Sequence, residues 1–152
     1  MTKDKISIIK DPELIDSVQS NYRSSAHASY IDSLVNGLLK PYKIYLLGGA
    51  VRDPIINYLY DRNISTGDFD LLVDDSEREF PIIEMFRDLE GLTLNNFSSP
   101  KWKPEKGIEI DVVAFSNVTM IKNLESDDVS LETVLKSTDF NTGAIAYDMA
   151  KP

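Results

Sequence analysis

The sequence has no cysteine, and His27 is its only histidine. Without cysteine the chain has no disulfide, no thiolate nucleophile and no thiolate metal site, and one histidine is too few for a histidine metal cluster. Any bound metal ion must therefore be held by oxygen ligands. For His27 itself we predict a surface position and no functional role.

Long hydrophobic runs are also missing. No segment approaches the roughly 20 apolar residues of a membrane-spanning helix, and the charged first residues leave no apolar core for a signal peptide. We therefore expect a soluble, cytoplasmic protein with no membrane partner.

Positive charge is scarce: 16 Lys and Arg stand against 25 Asp and Glu, a net charge of −9. Binding to long nucleic acids needs clustered cations that neutralise phosphates, so such a polymer is a disfavoured partner for this chain alone. A small nucleotide remains compatible with the acidity, because divalent cations bound at a carboxylate cluster attract phosphate oxygens.

The length of 152 residues and the hydrophobic content of 42% predict one packed domain over residues 1–152. Helical spacing of apolar residues predicts an N-terminal helical segment over 11–40, made of two helices that break within 20–25. Further along, the pattern predicts strands at 44–47, 69–73, 92–96 and 108–115, helices at 50–60, 76–88 and 131–136, a loop or hairpin turn at 98–107, and either a strand or a helical turn at 143–149. This order predicts an α/β (α+β) fold with a mixed sheet of about five strands flanked by helices.

Asp68 and Asp70 are separated by one residue at the beginning of a predicted strand, so their side chains share one face. Two carboxylates this close repel each other unless a cation lies between them, and oxygen-only ligands favour Mg²⁺ or Mn²⁺. Glu109 and Asp111 share a face of another strand and supply a third carboxylate, enough for a two-metal site. The alternative for an isolated Asp-x-Asp is a solvated strand end.

Gly48 and Gly49 lie between a predicted strand and a predicted helix. Glycine lets backbone amides approach phosphate oxygens closely, and a helix N-terminus favours anions. The pair is therefore a candidate phosphate cradle, with an ordinary tight turn as the alternative.

These motifs together resemble the head domain of poly(A) polymerases and tRNA CCA-adding enzymes, in the polymerase-β superfamily of nucleotidyltransferases. LGGAVRD at 47–53 resembles the family's GGxVRD pattern, and GDFDLLV at 67–73 its following Asp-x-Asp strand. EID at 109–111 resembles the strand of the third acid, and DFNTGAIAYD at 139–148 resembles the RRDFTINALAYD segment. The four pieces occur in the family's order.

The resemblance implies a metal-dependent transfer of a nucleoside monophosphate from a nucleoside triphosphate to a hydroxyl acceptor. It implies that Asp68 and Asp70 bind two Mg²⁺ or Mn²⁺ ions, that Asp111 binds the catalytic ion and positions the acceptor, and that Gly48 and Gly49 hold the triphosphate. Arg52 and Asp139 are further candidates for nucleotide contact. For Arg52 the alternative is an ion pair with Asp53 or Asp139, and Asp53 is expected to be structural.

Two departures from the family pattern leave other functions open. Ser137 and Thr138 stand where the family has paired arginines, and Gly143 stands where it has asparagine. The chain also reaches only Pro152, so we expect no CCA addition by this chain alone. The alternatives to an active enzyme are a nucleotide-binding regulatory module that acts with a protein partner, as in defence or toxin–antitoxin systems, and a catalytic head whose neck is a separate chain.

The stretch Lys101-Trp102-Lys103, with Lys106 nearby, offers a small basic and aromatic patch beside the predicted site. A solvated loop is the alternative. The acceptor and the preferred triphosphate cannot be read from these residues.

Overall fold

The computed structural model describes residues 7–94, 99–118, 130–136 and 145–150. Its helices are α1 (Pro12–Ser24), α2 (Ala28–Asn36), α3 (Gly49–Tyr60), α4 (Ile82–Met85) and α5 (Leu131–Lys136), with a 3₁₀ turn at Phe115–Asn117. Its strands are β1 (Lys43–Leu47), β2 (Phe69–Asp74), β3 (Leu92–Leu94), β4 (Pro100–Trp102), β5 (Ile110–Ala114) and β6 (Ala146–Asp148). The predicted single domain is not tested by any finding.

The described strands form one mixed sheet in the order β3-β4-β5-β2-β1-β6. Only β2 and β5 pair in parallel, and the other neighbours run antiparallel. The two central strands are rich in buried β-branched and aliphatic residues, as expected for strands covered by other elements. The predicted fold class is therefore confirmed, with six strands in the described residues where about five were expected.

The predicted helical segment over 11–40 forms two helices, as expected. Asp11 caps α1 by accepting a hydrogen bond from the amide of Glu13 at 3.0 Å, and Pro12 takes the first helical position, where no N–H is needed. Val18 of α1 and the α2 residues Ile31 and Leu34 are buried in the main core. The break between the helices falls at residues 25–27 and shares only residue 25 with the predicted interval, and residues 37–40 form turns after the end of α2.

One predicted helix, over residues 76–88, is wrong: only Ile82–Met85 is helical. The sequence Ser-Glu-Arg-Glu at 76–79 resembles a capping box at a helix start, but the amide of Ser76 bonds to the side chain of Asp74 at 3.0 Å. Pro81 disfavours the helical conformation for the preceding residue. That residue, Phe80, instead packs edge-on against Tyr42 and Phe86 in the core.

The loop predicted over 98–107 is also wrong in part, because it contains β4. Pro100 opens this strand, a position where a missing N–H is tolerated. Trp102 is buried and donates its indole N–H to the carbonyl oxygen of Glu90 at 2.9 Å. The strand predicted at 92–96 is seen as β3 over 92–94, and residues 95–98 lie outside the described ranges. The strand predicted at 108–115 is shorter and ends in the 3₁₀ turn.

Residues 146–148 form a strand, β6, which resolves the alternative between strand and helical turn in favour of the strand. Helix α5 occupies the predicted range. Within the described ranges, no helix has both the length and the apolar character needed to cross a membrane.

Candidate active site

The parallel pairing of β2 with β5 places Asp70 directly beside Asp111. Neighbouring residues of a parallel pair point to the same face of the sheet, so the two carboxyl groups lie side by side, and the charge of Asp111 raises the pKa of Asp70. The structure thus brings together two of the three predicted acids.

The electrostatics of this pair are unfavourable for charge. Burial raises the pKa of Asp70 to about 6, with further upward contributions from the carboxylates of Asp111 and Asp68, and the ammonium of Lys101 opposes them. Burial also raises the pKa of Asp111, with smaller upward contributions from the carboxylates of Asp68 and Glu109, and the ammonium of Lys101 opposes them. Buried carboxylates with raised pKa values are typical of functional sites, although structural networks also produce them.

Asp68 immediately precedes β2 and is close enough to raise the pKa of both other acids. Among the described residues, however, no three acidic or histidine side chains are grouped tightly enough to hold a metal ion. The donor set still fits Mg²⁺, because this ion is usually held by one or two carboxylates, with water and substrate phosphates as its other ligands. Asp70 and Asp111 supply those two carboxylates, and a cation between them would offset their mutual repulsion.

The Gly48-Gly49 turn lies beside Asp70. Gly48 has φ +67° and ψ −133°, a conformation that residues with a side chain rarely adopt. A Cβ on Gly48 would lie 3.5 Å from Oδ2 of Asp70, which places the turn against the carboxylate pair. The carbonyl of Gly48 accepts from the amides of Val51 and Arg52 at 3.0 and 2.9 Å, and no side chain caps the start of α3. Of the first amides of α3, those of Gly49 and Ala50 therefore have no side-chain cap and precede the first amide bonded within the turn, that of Val51.

Arg52 forms an ion pair with Asp53, one of the alternatives raised by the sequence. Its Nε and Nη2 atoms donate to Oδ1 of Asp53 at 2.9 and 2.8 Å. Asp53 is 6% exposed, and its Oδ2 lies 3.1 Å from the position of a Cβ on Gly49. Nη2 of Arg52 lies 3.5 Å from the same position, so the guanidinium also borders the turn. Asp139, the other predicted nucleotide contact, lies outside the described residues.

Lys101 borders the acidic pair on its other side. Strand β4 pairs Lys101 with Asp111, and the Lys101 ammonium lies 3.7 Å from Oδ1 of Asp111 and 3.6 Å from Oε2 of Glu109. Lys103 holds the same Glu109 at 3.0 Å. These lysines form a charge network with Glu109 and Asp111, at the place where the sequence offered either a basic and aromatic patch or a solvated loop. Trp102 belongs to the core.

His27 is buried at 7% exposure, so its predicted surface position is wrong. Its ring packs 4.6 Å from the ring of Phe69, which precedes Asp70 in β2. Burial lowers the pKa of His27, against the attraction of the Asp68 carboxylate. Its Nε2 has no hydrogen-bond partner in the described part of the chain. A single histidine carries no spacing pattern, and no sequence signal distinguished this buried position from an exposed one.

Comparison with known proteins supports the fold. No protein-family model matches the sequence, and none of the curated proteins matches it. A solved CCA-adding enzyme in complex with CTP superimposes with a TM-score of 0.58 at 19% identity, over 93% of this chain and 31% of that one. The Thermotoga maritima CCA-adding enzyme complexed with tRNA gives a TM-score of 0.54 at 19% identity, over 85% of this chain and 28% of its own.

The chain therefore has a nucleotidyltransferase fold, and the head-domain resemblance drawn from its motifs is confirmed at the level of the fold. It spans less than a third of the length of these two enzymes. At 19% identity the likeness establishes the fold and not the reaction.

Proposed function

We propose that this chain is a metal-dependent nucleotidyltransferase that moves a nucleoside monophosphate from a nucleoside triphosphate to a hydroxyl acceptor. The observation that carries the proposal is the Asp70–Asp111 pair, partly buried, beside the Gly48-Gly49 turn. The CTP complex of a CCA-adding enzyme with this fold supports a triphosphate as the donor. We propose Mg²⁺, with Mn²⁺ as a substitute, as the metal.

In this proposal Asp70 and Asp111 hold the metal, and Asp68 is the third predicted ligand. The metal supplies Lewis-acid stabilisation of charge on the phosphate oxygens. The amides of the glycine turn and the start of α3 bind the triphosphate, with Arg52 beside them. The acceptor oxygen bonds to the α-phosphorus, the bond from that phosphorus to the bridging oxygen breaks, and pyrophosphate leaves. The hydroxyl proton passes to Asp111 or to water.

The direct test supplies the purified chain with Mg²⁺, each α-labelled nucleoside triphosphate and a cell extract as the source of acceptor, and traces the label. We expect transfer to an extract component, lost in Asp111→Asn and kept in Asp16→Asn, which removes an exposed carboxylate from α1. The absence of transfer with every triphosphate, or equal transfer by Asp111→Asn, would contradict the proposal.

A second candidate, a catalytic head that works with a separate chain, is supported by one surface feature. At the end of α3, Tyr58, Leu59 and Tyr60 are 47%, 55% and 69% exposed, and Ile64 in the next loop is 41% exposed. Asn57 ties this loop to the helix through two hydrogen bonds with Ile64. Exposed apolar groups of this kind often mark protein interfaces.

The two candidates differ in what the purified chain does alone. Once the labelled acceptor has been isolated, the single-chain enzyme labels it without extract protein, whereas the head with a separate chain needs a protein fraction as well. In the second case, Tyr60→Ser should weaken the response to that fraction. The regulatory module predicts triphosphate binding without transfer under either condition, and the segment at 137–138 that suggested it lies outside the described residues.

A further inference from the structure

Lys101 forms an ion pair with Asp111, the third predicted acid, and a metal ion in the proposed site would need the same carboxylate. The antiparallel register of β4 and β5 puts Lys101 opposite Asp111, where side chains of directly paired residues meet. The Lys101 ammonium is 3.7 Å from Oδ1 of Asp111. About two-thirds of the Lys101 side chain and more than three-quarters of the Asp111 side chain are shielded from solvent, so screening of this pair is reduced.

An ammonium and a divalent cation compete for the oxygens of Asp111. A cation bound between Asp70 and Asp111 would lie close to the positive charge of Lys101. Because the effective dielectric constant is lower here than in water, the two positive charges would repel each other more strongly than at the same distance in bulk water. Metal binding is therefore weakened as long as Lys101 stays on Asp111. The lysine must either remain there and repel the metal or move to another acid.

Glu109 is the acid that receives it. Glu109 precedes Asp111 by two residues, so both side chains lie on the same face, and its Oε2 is 3.6 Å from the Lys101 ammonium. The two distances differ by 0.1 Å, so the ammonium lies between both acids and reaches Glu109 by a small side-chain rotation. Lys103 contacts Glu109 at 3.0 Å from the other side and has no ion pair with Asp111 among the described contacts.

We propose that Lys101 is a positioning residue that serves as the resident counter-cation of the site and sets its metal affinity. Without metal, Lys101 offsets the charge of Asp111. When a divalent cation binds, Lys101 shifts to Glu109. The proposal rests on the proposed function for the place of the metal, and it goes beyond that function by giving the site an internal competitor.

The test measures Mn²⁺ affinity of the full chain without nucleotide, by electron paramagnetic resonance or calorimetry. We expect Lys101→Met to bind Mn²⁺ about five- to tenfold more tightly, since a nearby positive charge is gone. Lys101→Arg, which keeps the charge, should bind like the wild type. Lys103→Met is the matched control and should differ by less than twofold. Unchanged or weaker binding by Lys101→Met, with native circular dichroism, would overturn the proposal.

The shift to Glu109 is tested by a double-mutant cycle. Glu109→Gln leaves Lys101 with Asp111 as its acid, so it should weaken Mn²⁺ binding several-fold, and this loss should shrink when Lys101→Met is also present. An equal loss in both backgrounds means that Glu109 acts as a distant charge and overturns the shift.

The same data separate this proposal from the proposed function. If Asp70→Asn abolishes the Mn²⁺ binding of the wild type but Lys101→Met leaves it unchanged, only the role of Lys101 as counter-cation is refuted. If neither the wild type nor Lys101→Met binds Mn²⁺, both the metal site and the counter-cation are refuted. If only Lys101→Met binds, the counter-cation is supported.

Discussion

At the scale of single residues, Asp70 is subject to opposite demands from stability and from metal binding. Asp70→Asn removes a charge that burial and two neighbouring acids disfavour, and the amide has nearly the same shape as the carboxyl group it replaces. At pH 8 we expect the metal-free variant to be more stable than the wild type, by about 1 kcal/mol in free energy of unfolding. Its unfolding temperature should rise accordingly.

The same variant should lose about a thousandfold in transfer rate, because an amide is a much poorer Mg²⁺ ligand than a carboxylate. Thermal unfolding without metal and pyrophosphate release with metal and acceptor measure the two effects. A large drop in the unfolding temperature would identify Asp70 as a structural acceptor. Full activity would remove it from the metal site.

Asp70 also gives the stability of the metal-free protein a pH dependence. Its pKa is raised to about 6 from the ordinary value of 3.8, so the folded protein binds this proton more tightly than the unfolded chain does. The stabilisation is fully present below about pH 4 and is lost as the pH rises through about 6. We expect the stability difference between Asp70→Asn and the wild type to grow over this window in urea denaturation, and to be constant above it. A difference that is already constant from pH 4 upwards would mean that the proton is not bound at Asp70.

At the scale of elements, the turn between β1 and α3 depends on the backbone of Gly48. A Cβ there meets no backbone atom, so the cost of Gly48→Ala comes from its φ of +67°. We expect a loss of about 1–3 kcal/mol in unfolding free energy. Gly67→Ala is the control, because a Cβ at Gly67 meets nothing within 4 Å and its φ is not positive. Equal stability of the two variants in urea would show that the turn relaxes without cost.

The elements also show what sequence reasoning recovers. The Gly48-Gly49 turn and strand β2 were predicted because, in each case, a short and mostly apolar run is bounded by glycine or polar residues. Strand β4 was missed because its three residues include a proline and a lysine, and its partner strands rather than its own pattern hold it in the sheet. The helix over 76–88 was overpredicted because a capping pattern acts only where the backbone can turn, and Pro81 and buried Phe80 prevent it there.

At the scale of the whole molecule, we expect the net charge of −9 to make nucleotide binding dependent on metal. A triphosphate and the acidic site repel each other unless divalent cations lie between them. We expect triphosphate affinity in calorimetry to be at least tenfold weaker with chelator than with millimolar-range Mg²⁺. Lys101→Met should remain metal-dependent, since it adds to the net negative charge. Equal affinities with and without Mg²⁺ would favour the regulatory module.

The contacts between predicted site residues depend on how the whole sheet is assembled. Alternation within each strand predicted a common face for Asp68 and Asp70 and another for Glu109 and Asp111, but only the parallel register determines that Asp70 and Asp111 meet. The counter-charge of Lys101 comes from a strand that the sequence did not reveal. Long-range pairing leaves no local pattern, so contacts across the sheet are the part of the site least accessible to sequence reasoning.

If Asp70 and Asp111 bind a divalent cation as proposed, the parallel pairing of β2 with β5 makes that binding a measure of global folding. In the unfolded chain, a long flexible segment separates Asp70 from Asp111, and a divalent ion meets two independent, weak ligands. The two carboxylates come together only after the chain between β2 and β5, which includes β3 and β4, has folded. The ion would therefore stabilise the native state by mass action and would not stabilise partly folded states. Denaturant should therefore abolish Mn²⁺ binding and secondary structure in a single transition, and a proteolytic fragment that lacks either strand should bind no better than a free carboxylate.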